Sequence, residues 1–307
     1  KLQRVACGRL RAKVAFQYFQ KVCRLDVSMG RLLIIGQVWP EPSTTAAGHR
    51  MLQLIEVLKS QWDITFATTA AKTSYTFDLS SLGVRTQSIL LNDSSFDDFV
   101  SDLNPEVVIF DRFIIEEQFG WRVSEKVPMA LRVLNTEDLH SLRKCREKCH
   151  QQAIDFTTDL WLDFEMTKRD VASIYRVDLS LMVSSYEIEL LIEKAGVPQF
   201  LLMYLPFMLD VDTQAEMLSF DSRQNFITFG NGRHAPNVDA IHFLHEAIWP
   251  LIRKSLPNAN LRVYGAYLPE SVTQLHQPKK GFEVLGWREN LDAEIQKSKV
   301  CLVPLRF

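Results

Sequence analysis

Cysteine is scarce in this chain, with five among 307 residues, an odd number. That excludes a disulfide scaffold and points to a reducing compartment, the cytoplasm by default. No apolar run approaches the roughly 20 residues of a membrane helix, so no membrane span is expected. Neither sign of charge dominates. A formal net charge of -2 gives no general electrostatic case for nucleic acid or an anionic membrane. Basic residues are not interleaved with aromatics as in RNA-binding sheets. The patterns G-x-x-x-x-G-K-[ST], G-x-S-x-G and H-E-x-x-H are absent. Cys145 and Cys149 fall on one helical face beside His150, but a second ligand pair at zinc spacing is lacking, so no metal is expected. Internal repeats and low-complexity segments are not evident.

What is present is globular. The chain is 47% apolar and 23% charged, and its length suits two domains. Residues Lys1 to Arg24 hold seven Lys or Arg and no acid. Such a stretch reads as translated upstream sequence, with Met29 standing directly before the first strand. It reads equally as a transit peptide for an organelle, or as a basic surface helix with Ala15, Tyr18, Phe19 and Val22 on one side.

The stretch from Arg31 to Lys59 organises the rest of the chain. Leu32 to Ile35 is almost wholly apolar and includes β-branched residues, which suits a strand buried on both faces of a parallel sheet. Pro40 and Pro42 break the chain into a loop. Ser43, Thr44 and Thr45 are candidate helix caps. Met51, Leu54, Ile55 and Leu58 then mark one helical face. Beyond a strand's carboxyl end is where an open parallel sheet places its ligand crevice, and Gly48, His49 and Arg50 lie there. Further strands are expected over Asp63–Thr68, within Val84–Leu91, and over Glu106–Phe110, Leu131–Leu134 and Asp178–Ser184. Polar residues gather past several of them, as at Asp111-Arg112 and from Asn135 to His140. Ser141 to Arg176 reads as mostly helical, interrupted near Asp155 to Asp159. The composition then turns polar, placing a domain boundary near Asp212 to Arg223.

The βα alternation restarts with strands over Phe226–Phe229, Leu261–Tyr264, Phe282–Leu285 and Val300–Val303. Ile241, Leu244, Ile248, Leu251 and Ile252 read as the core face of one helix. Since the chain stops just after its fourth strand, this second domain is expected to be incomplete. Both domains belong to the doubly wound α/β class.

Gly230 to Ala235 matches G-x-G-x-x-A after a strand and before a helix, the context of a dinucleotide fingerprint. A helix mouth there would offer backbone N–H groups to a phosphate, and Arg233 adds a planar fork. The structural alternative is a Gly-rich turn capped by Asn237. The next strand ends at Tyr264-Gly265-Ala266, without the acid a nicotinamide enzyme needs. His140 could donate to a sugar hydroxyl and Asp138 could accept from one; alternatively Asp138 caps a helix and His140 lies on the surface. Glu116 and Glu117 read as a solvated or capping pair.

Several stretches together resemble retaining nucleotide-sugar glycosyltransferases of the GT-B architecture, in the branch called group 1 or family 4. They are VWPEPSTTAAGHR, VSSYEIELL, ITFGNGRHAPNVDAIHFL, LRVYGA, VLGWRENL and KVCLVPLRF. The resemblance implies a fold of two Rossmann-like domains, an acceptor-side domain over 30–212 and a partial donor domain over 213–307, after a basic extension over 1–29. It implies a nucleotide diphosphate sugar as donor substrate, with no further cofactor, and an acceptor of unknown class (glycan, lipid or protein). Arg233 maps to the diphosphate-binding arginine and Gly48 to the first-domain glycine loop, with Arg50, Gly230, Gly232 and Asn237 beside the phosphates. Gly265, Gly286, Trp287 and Arg288 map to the nucleobase side. His140, with Asp138, maps to the catalytic His that touches the donor sugar. Arg112, Pro304 and Arg306 fall to the rest of the cleft. The family commonly carries a Lys where Asn237 stands, and a ribose-binding Glu in a stretch that would lie beyond Phe307. The rival readings are a non-catalytic binding module of the same fold and, less favoured, a nicotinamide-dependent oxidoreductase.

Overall fold

A computed structural model describes residues 29–208 and 218–307. The expected basic extension, apart from Met29, and the expected boundary between residues 212 and 213 lie outside the described residues. The described chain divides into two compact units. The larger holds residues 29–42, 47–146 and 155–208; the smaller holds 43–46, 147–154 and 218–307.

The larger unit is built on seven parallel strands: β1 (Gly30–Gly36), β2 (Trp62–Thr68), β3 (Arg85–Ser88), β4 (Val107–Asp111), β5 (Leu131–Glu137), β6 (Leu179–Met182) and β7 (Leu202–Tyr204). Their order is β3-β2-β1-β4-β5-β6-β7. Leu32 to Ile35 are all buried, because a parallel strand between two neighbours has helices over both faces. The order reverses between β1 and β4, where Ile35 pairs with Phe110. This is the topological switch point.

Helix α1 (Ala46–Leu58) follows β1 and buries Met51, Leu54, Ile55 and Leu58, the face its spacing predicts. These side chains pack with Leu32, Ile34, Phe66 and Ile109 in one core. The other helices that begin in this unit are α2 (Ser95–Leu103), α3 (Phe113–Lys126), α4 (His140–Gln151, which ends in the smaller one), α5 (Thr158–Asp163), α6 (Glu165–Tyr175) and α7 (Ser185–Glu193). The helical stretch expected from Ser141 to Arg176 is thus three helices. The break before α5 ends at Thr157, which caps the helix by accepting from the Leu160 N–H. Glu116 and Glu117 are not a solvated pair. Glu116 is buried and accepts from Arg176 Nε at 2.9 Å, while Glu117 accepts from Arg169 Nε at 3.0 Å. Both arginines stand on or just past α6 and lock it to α3.

The smaller unit has four parallel strands, β8 (Gln224–Phe229), β9 (Leu261–Tyr264), β10 (Phe282–Gly286) and β11 (Ser298–Cys301), in the order β10-β9-β8-β11. The last strand starts two residues earlier than expected and ends at Cys301. Its register is fixed by pairing Ser298 with Gln224 and Cys301 with Ile227, which leaves Val303 exposed. Between β8 and β9 lie α8 (Ala235–Phe243), a π-helical turn (Leu244–Ile248) and α9 (Trp249–Ser255). Pro250 has no N–H and its ring crowds the carbonyl four residues back, so the turn widens there. The wider turn shifts the phase of the face. Trp249 becomes the buried anchor, and Leu251, expected in the core, is 69% exposed.

Candidate functional site

The first unit brings five polar or charged side chains to its switch point. Asp111 ends β4 and Arg112 follows it, Asn135 and Glu137 end β5, and Arg50 reaches across from α1. Arg50 is fully buried. Its Nε donates to Asn135 Oδ1 at 3.1 Å, and its guanidinium lies 5.7 Å from the Phe207 ring centre. Asn135 in turn donates to Asp111 Oδ1 at 3.2 Å. Arg112 Nη1 donates to Gln37 Oε1 at 2.7 Å, and Arg112 Nη2 stands 3.2 Å from Glu137 Oε2. Burial lowers the Arg50 pKa to about 10, against the opposing pull of Glu137 and Asp111. Burial, with Asp111 adding to it, raises Glu137 to about 7.

Arg112 and Glu137 both have positive φ, 77° and 61°. A non-glycine residue in these conformations is held there by its surroundings, and such strain concentrates at functional positions. Gly48, expected to face a ligand, has a packing reason to be glycine. A Cβ there would meet the Glu41 backbone nitrogen at 2.5 Å, so the loop after β1 lies directly on α1.

Asp138 and His140 come next on the same strand end. His140 Nδ1 is 3.8 Å from Asp138 Oδ1, and Asp138 Oδ2 accepts from Arg143 Nε at 2.7 Å. Asp138 therefore orients these two side chains. Burial pushes its pKa up, but His140 and Arg143 outweigh that and hold it below the usual carboxylate range. The imidazole lies 5.6 Å from the Phe113 ring and helps line a small cavity with Thr136, Asp138 and Asp170. Two buried carboxylates take the N–H groups at the start of α4. Asp170 Oδ2 accepts from Ser141 N at 2.8 Å and Glu187 Oε1 from Leu139 N at 3.2 Å. Burial is the leading cause that lifts Asp170 to about 6 and Glu187 to about 7.

In the second unit the candidate residues gather at the carboxyl ends of β8, β9 and β10. Gly230 N donates to Tyr264 O, Gly265 N to Gly286 O and Gly232 N to Ala266 O, so three strand ends are tied edge to edge. A Cβ on Gly265 would strike the Gly230 carbonyl oxygen, and one on Gly232 the Tyr267 carbonyl oxygen. Here the glycines serve close approach between loops. The N–H groups of Arg233, His234 and Asn237 are also used within the turn, donating to Asn231 Oδ1, Asn231 O and His234 O. Part of the expected cradle of backbone donors is therefore used within the turn, and Pro236 in the first turn carries no N–H. Asn237 is not the cap either. His234 occupies that position without a side-chain capping bond, and Asn237 Nδ2 donates to Asn231 O at 3.1 Å.

What this turn presents is the Arg233 side chain. Arg233 is exposed, and its guanidinium stacks 3.6 Å from the Tyr267 ring centre. Such stacking fixes the plane of the fork while leaving its edge for a partner. Trp287 is half-buried and Arg288 exposed, directly after Gly286. Pro304 is half-buried, and Arg306 is engaged, its Nε donating to Asp239 Oδ2 at 2.8 Å over the Phe243 ring. Reading the sequence singles out Arg50, Arg112, Asp138 and His140 in the first unit but misses Glu137, Asn135, Asp170 and Glu187. Glu137 and Asn135 sit in a polar run past a strand, a usable signal. Asp170 and Glu187 lie inside helices and carry none.

Residues 223–307 match the family model of glycosyl transferases group 1. No curated protein sequence matches the chain. Among solved structures it is similar to sucrose-phosphate synthase from Thermosynechococcus elongatus, at TM-score 0.63 and 12% identity over 91% of this chain and 76% of that one. A glycosyltransferase from Rickettsia africae matches at TM-score 0.59 and 10% identity over 91% and 74%. A UDP-GlcNAc 2-epimerase from Neisseria meningitidis, bound to UDP-GlcNAc, matches at TM-score 0.54 and 13% identity over 88% and 76%. No helix among the described residues is long and apolar enough to cross a membrane. The chain is built of two parallel-sheet α/β domains resembling those of GT-B glycosyltransferases, the second carrying the group 1 match.

Proposed function

We propose that this chain carries the donor-binding and sugar-contacting residues of a glycosyltransferase that moves a sugar from a nucleotide diphosphate donor to an acceptor with retention. The observation that supports this most is the family match over 223–307, which spans the strand ends where Arg233 stands stacked on Tyr267. In this reading Arg233 takes the diphosphate, with Gly230, Gly232 and Asn237 shaping the turn around it. Gly265, Gly286, Trp287 and Arg288 take the nucleobase side. His140, oriented by Asp138, contacts the transferred sugar. As the glycosidic bond to the diphosphate breaks, negative charge grows on the leaving phosphate oxygen. A prepositioned guanidinium stabilises that charge more than it stabilises the ground state. The reading asks for no cofactor beyond the donor.

The test is to incubate the chain with a panel of nucleotide diphosphate sugars and monitor release of the nucleoside diphosphate. Nuclear magnetic resonance on any sugar product then reads the anomeric configuration. Release with a retained anomer supports the proposal. Donor binding without release would favour a binding module of the same fold, and tighter binding of NAD than of any sugar nucleotide would favour an oxidoreductase.

A further inference from the structure

At the switch point of the first unit, three side chains leave buried polar atoms without partners. They are Nη1 and Nη2 of Arg50, Nε of Arg112 and Oε1 of Glu137. Buried polar groups are nearly always hydrogen-bonded, so such a cluster calls for an explanation. The balance of donors and acceptors supplies one. Each Arg50 Nη carries two N–H groups and Arg112 Nε carries one. Among the described residues the unpartnered buried acceptor beside them is Glu137 Oε1, whose pKa burial raises. The unpartnered atoms are therefore mostly donors, on two guanidiniums that also face the carboxylates of Asp111 and Glu137, in a place shielded from water.

We infer that the first unit contains an anion site of its own, in which the guanidinium groups of Arg50 and Arg112 receive a carboxylate or phosphate group of a ligand. The planar Arg50 fork suits bidentate contact with either oxyanion. Its orientation is set in advance, since Nε is already tied to Asn135. Arg112 is fixed by Gln37 and Glu137 and by its positive φ. A site whose donors are positioned beforehand costs little ordering on binding. The cover is Phe207, whose ring lies over Arg50 and is itself 38% exposed. Its neighbour Met208 is held through the backbone by both ends of the Gln53 amide, at 2.7 and 3.3 Å. Phe207 is thus the partly exposed side chain between Arg50 and solvent, on a chain segment anchored by Gln53.

The inference extends the glycosyl-transfer reading without requiring it, because all of its residues belong to the first unit. The ligand group has two possible sources, the donor's own phosphates and an acceptor bearing a phosphate or carboxylate. The test uses the full chain with inorganic phosphate as probe, read by calorimetry and by the side-chain resonances of arginine. Phosphate is expected to shift the Arg50 guanidinium signal alike in the wild type and in Arg233→Ala. Arg50→Gln should bind at least about tenfold more weakly, and Arg50→Lys should fall between, since an ammonium lacks the fork. Because Arg50 variants could fold poorly, the wild-type spectrum is an independent readout, in which phosphate should shift the Arg50 guanidinium signal. Competition between phosphate and a nucleoside diphosphate would assign the site to the donor. Simultaneous binding would assign it to an anionic acceptor. Equal phosphate affinity in well-folded Arg50→Gln, or an Arg50 signal unmoved by saturating phosphate, would overturn the inference and leave an internal water as the partner of these atoms. Loss of phosphate binding in Arg233→Ala alone would place the anion at the other turn.

Discussion

Arg112 and Glu137 face each other at 3.2 Å from the ends of two adjacent parallel strands, and both are held at positive φ. The pairing of Asp111 with Asn135 brings their backbones together. Arg112 N also donates to Asn135 O at 2.8 Å. The ion pair and the ladder therefore constrain the same two residues, and the strained backbone is offset by a bond at each end.

That strain has a measurable sign. Arg112 sits at φ 77° and ψ 158°, a region that is essentially glycine's alone and costs other residues on the order of 1–3 kcal/mol. Arg112→Ala loses the ion pair and keeps the strain, whereas Arg112→Gly loses both. Glycine normally costs roughly 0.5–1 kcal/mol relative to alanine. Here Arg112→Gly should be the more stable of the two, by about 1 kcal/mol in urea unfolding. The reverse order would show that the backbone at this position is relaxed.

Carboxylates with raised pKa make the first unit respond to pH in an uncommon direction. Glu137 and Glu187 titrate at about 7 and Asp170 at about 6 in the folded protein, above their unfolded values near 4. The folded state thus binds the proton more tightly than the unfolded state. Their contribution is complete below roughly pH 4 and is lost as pH rises through 6 to 7. Asp138 is depressed and acts oppositely, but only at lower pH. The thermal midpoint of the first unit should rise between pH 7.5 and pH 5.5. Glu187→Gln keeps an acceptor for the Leu139 N–H and should flatten that slope. A midpoint that falls steadily across this range would contradict the raised values.

The parts of this architecture that can be read from the sequence are those set by local pattern. Leu32 to Ile35 announce a doubly buried strand, and Met51, Leu54, Ile55 and Leu58 a helix lying on it. The β8 turn is recognisable from its glycines and Arg233. What escapes is whatever depends on distant chain. Tyr267 lies 34 positions after Arg233, and nothing in either neighbourhood announces their stacking. Asp170 and Glu187 hold the start of α4 from two later helices. Leu251 defeats the pattern because a regular 3.6-residue period cannot foresee the wide turn that Pro250 imposes. Gly48 shows the converse: its position is legible, but close packing on Glu41 supplies the reason for it.

Two glycines in the second unit should differ sharply on substitution. Gly265 has φ that any residue adopts, but a Cβ would strike the Gly230 carbonyl oxygen. Gly286 has φ 73° with open space around it. Gly265→Ala must push apart two strand ends and should cost roughly 2–3 kcal/mol or more. Gly286→Ala meets only the left-handed penalty, on the order of 1–2 kcal/mol. Hydrogen exchange resolved by segment should show the loss for Gly265→Ala over Phe226–Phe229 with β1 unchanged. Equal, small effects from both substitutions would show that the β8 and β9 ends are not tightly joined.

The donor assignment rests on Arg233, and calorimetry of nucleoside diphosphate binding tests it most directly. A charge-assisted contact to phosphate contributes on the order of 1.5–3 kcal/mol. Arg233→Ala should therefore weaken nucleoside diphosphate binding by roughly one to two orders of magnitude, and Arg233→Lys should recover only part of it. The nucleoside without phosphates should bind all three proteins about equally, which separates phosphate recognition from damage to the fold. If well-folded Arg233→Ala binds the diphosphate as tightly as the wild type does, Arg233 stacks on Tyr267 for structural reasons alone, and the donor phosphates are held elsewhere.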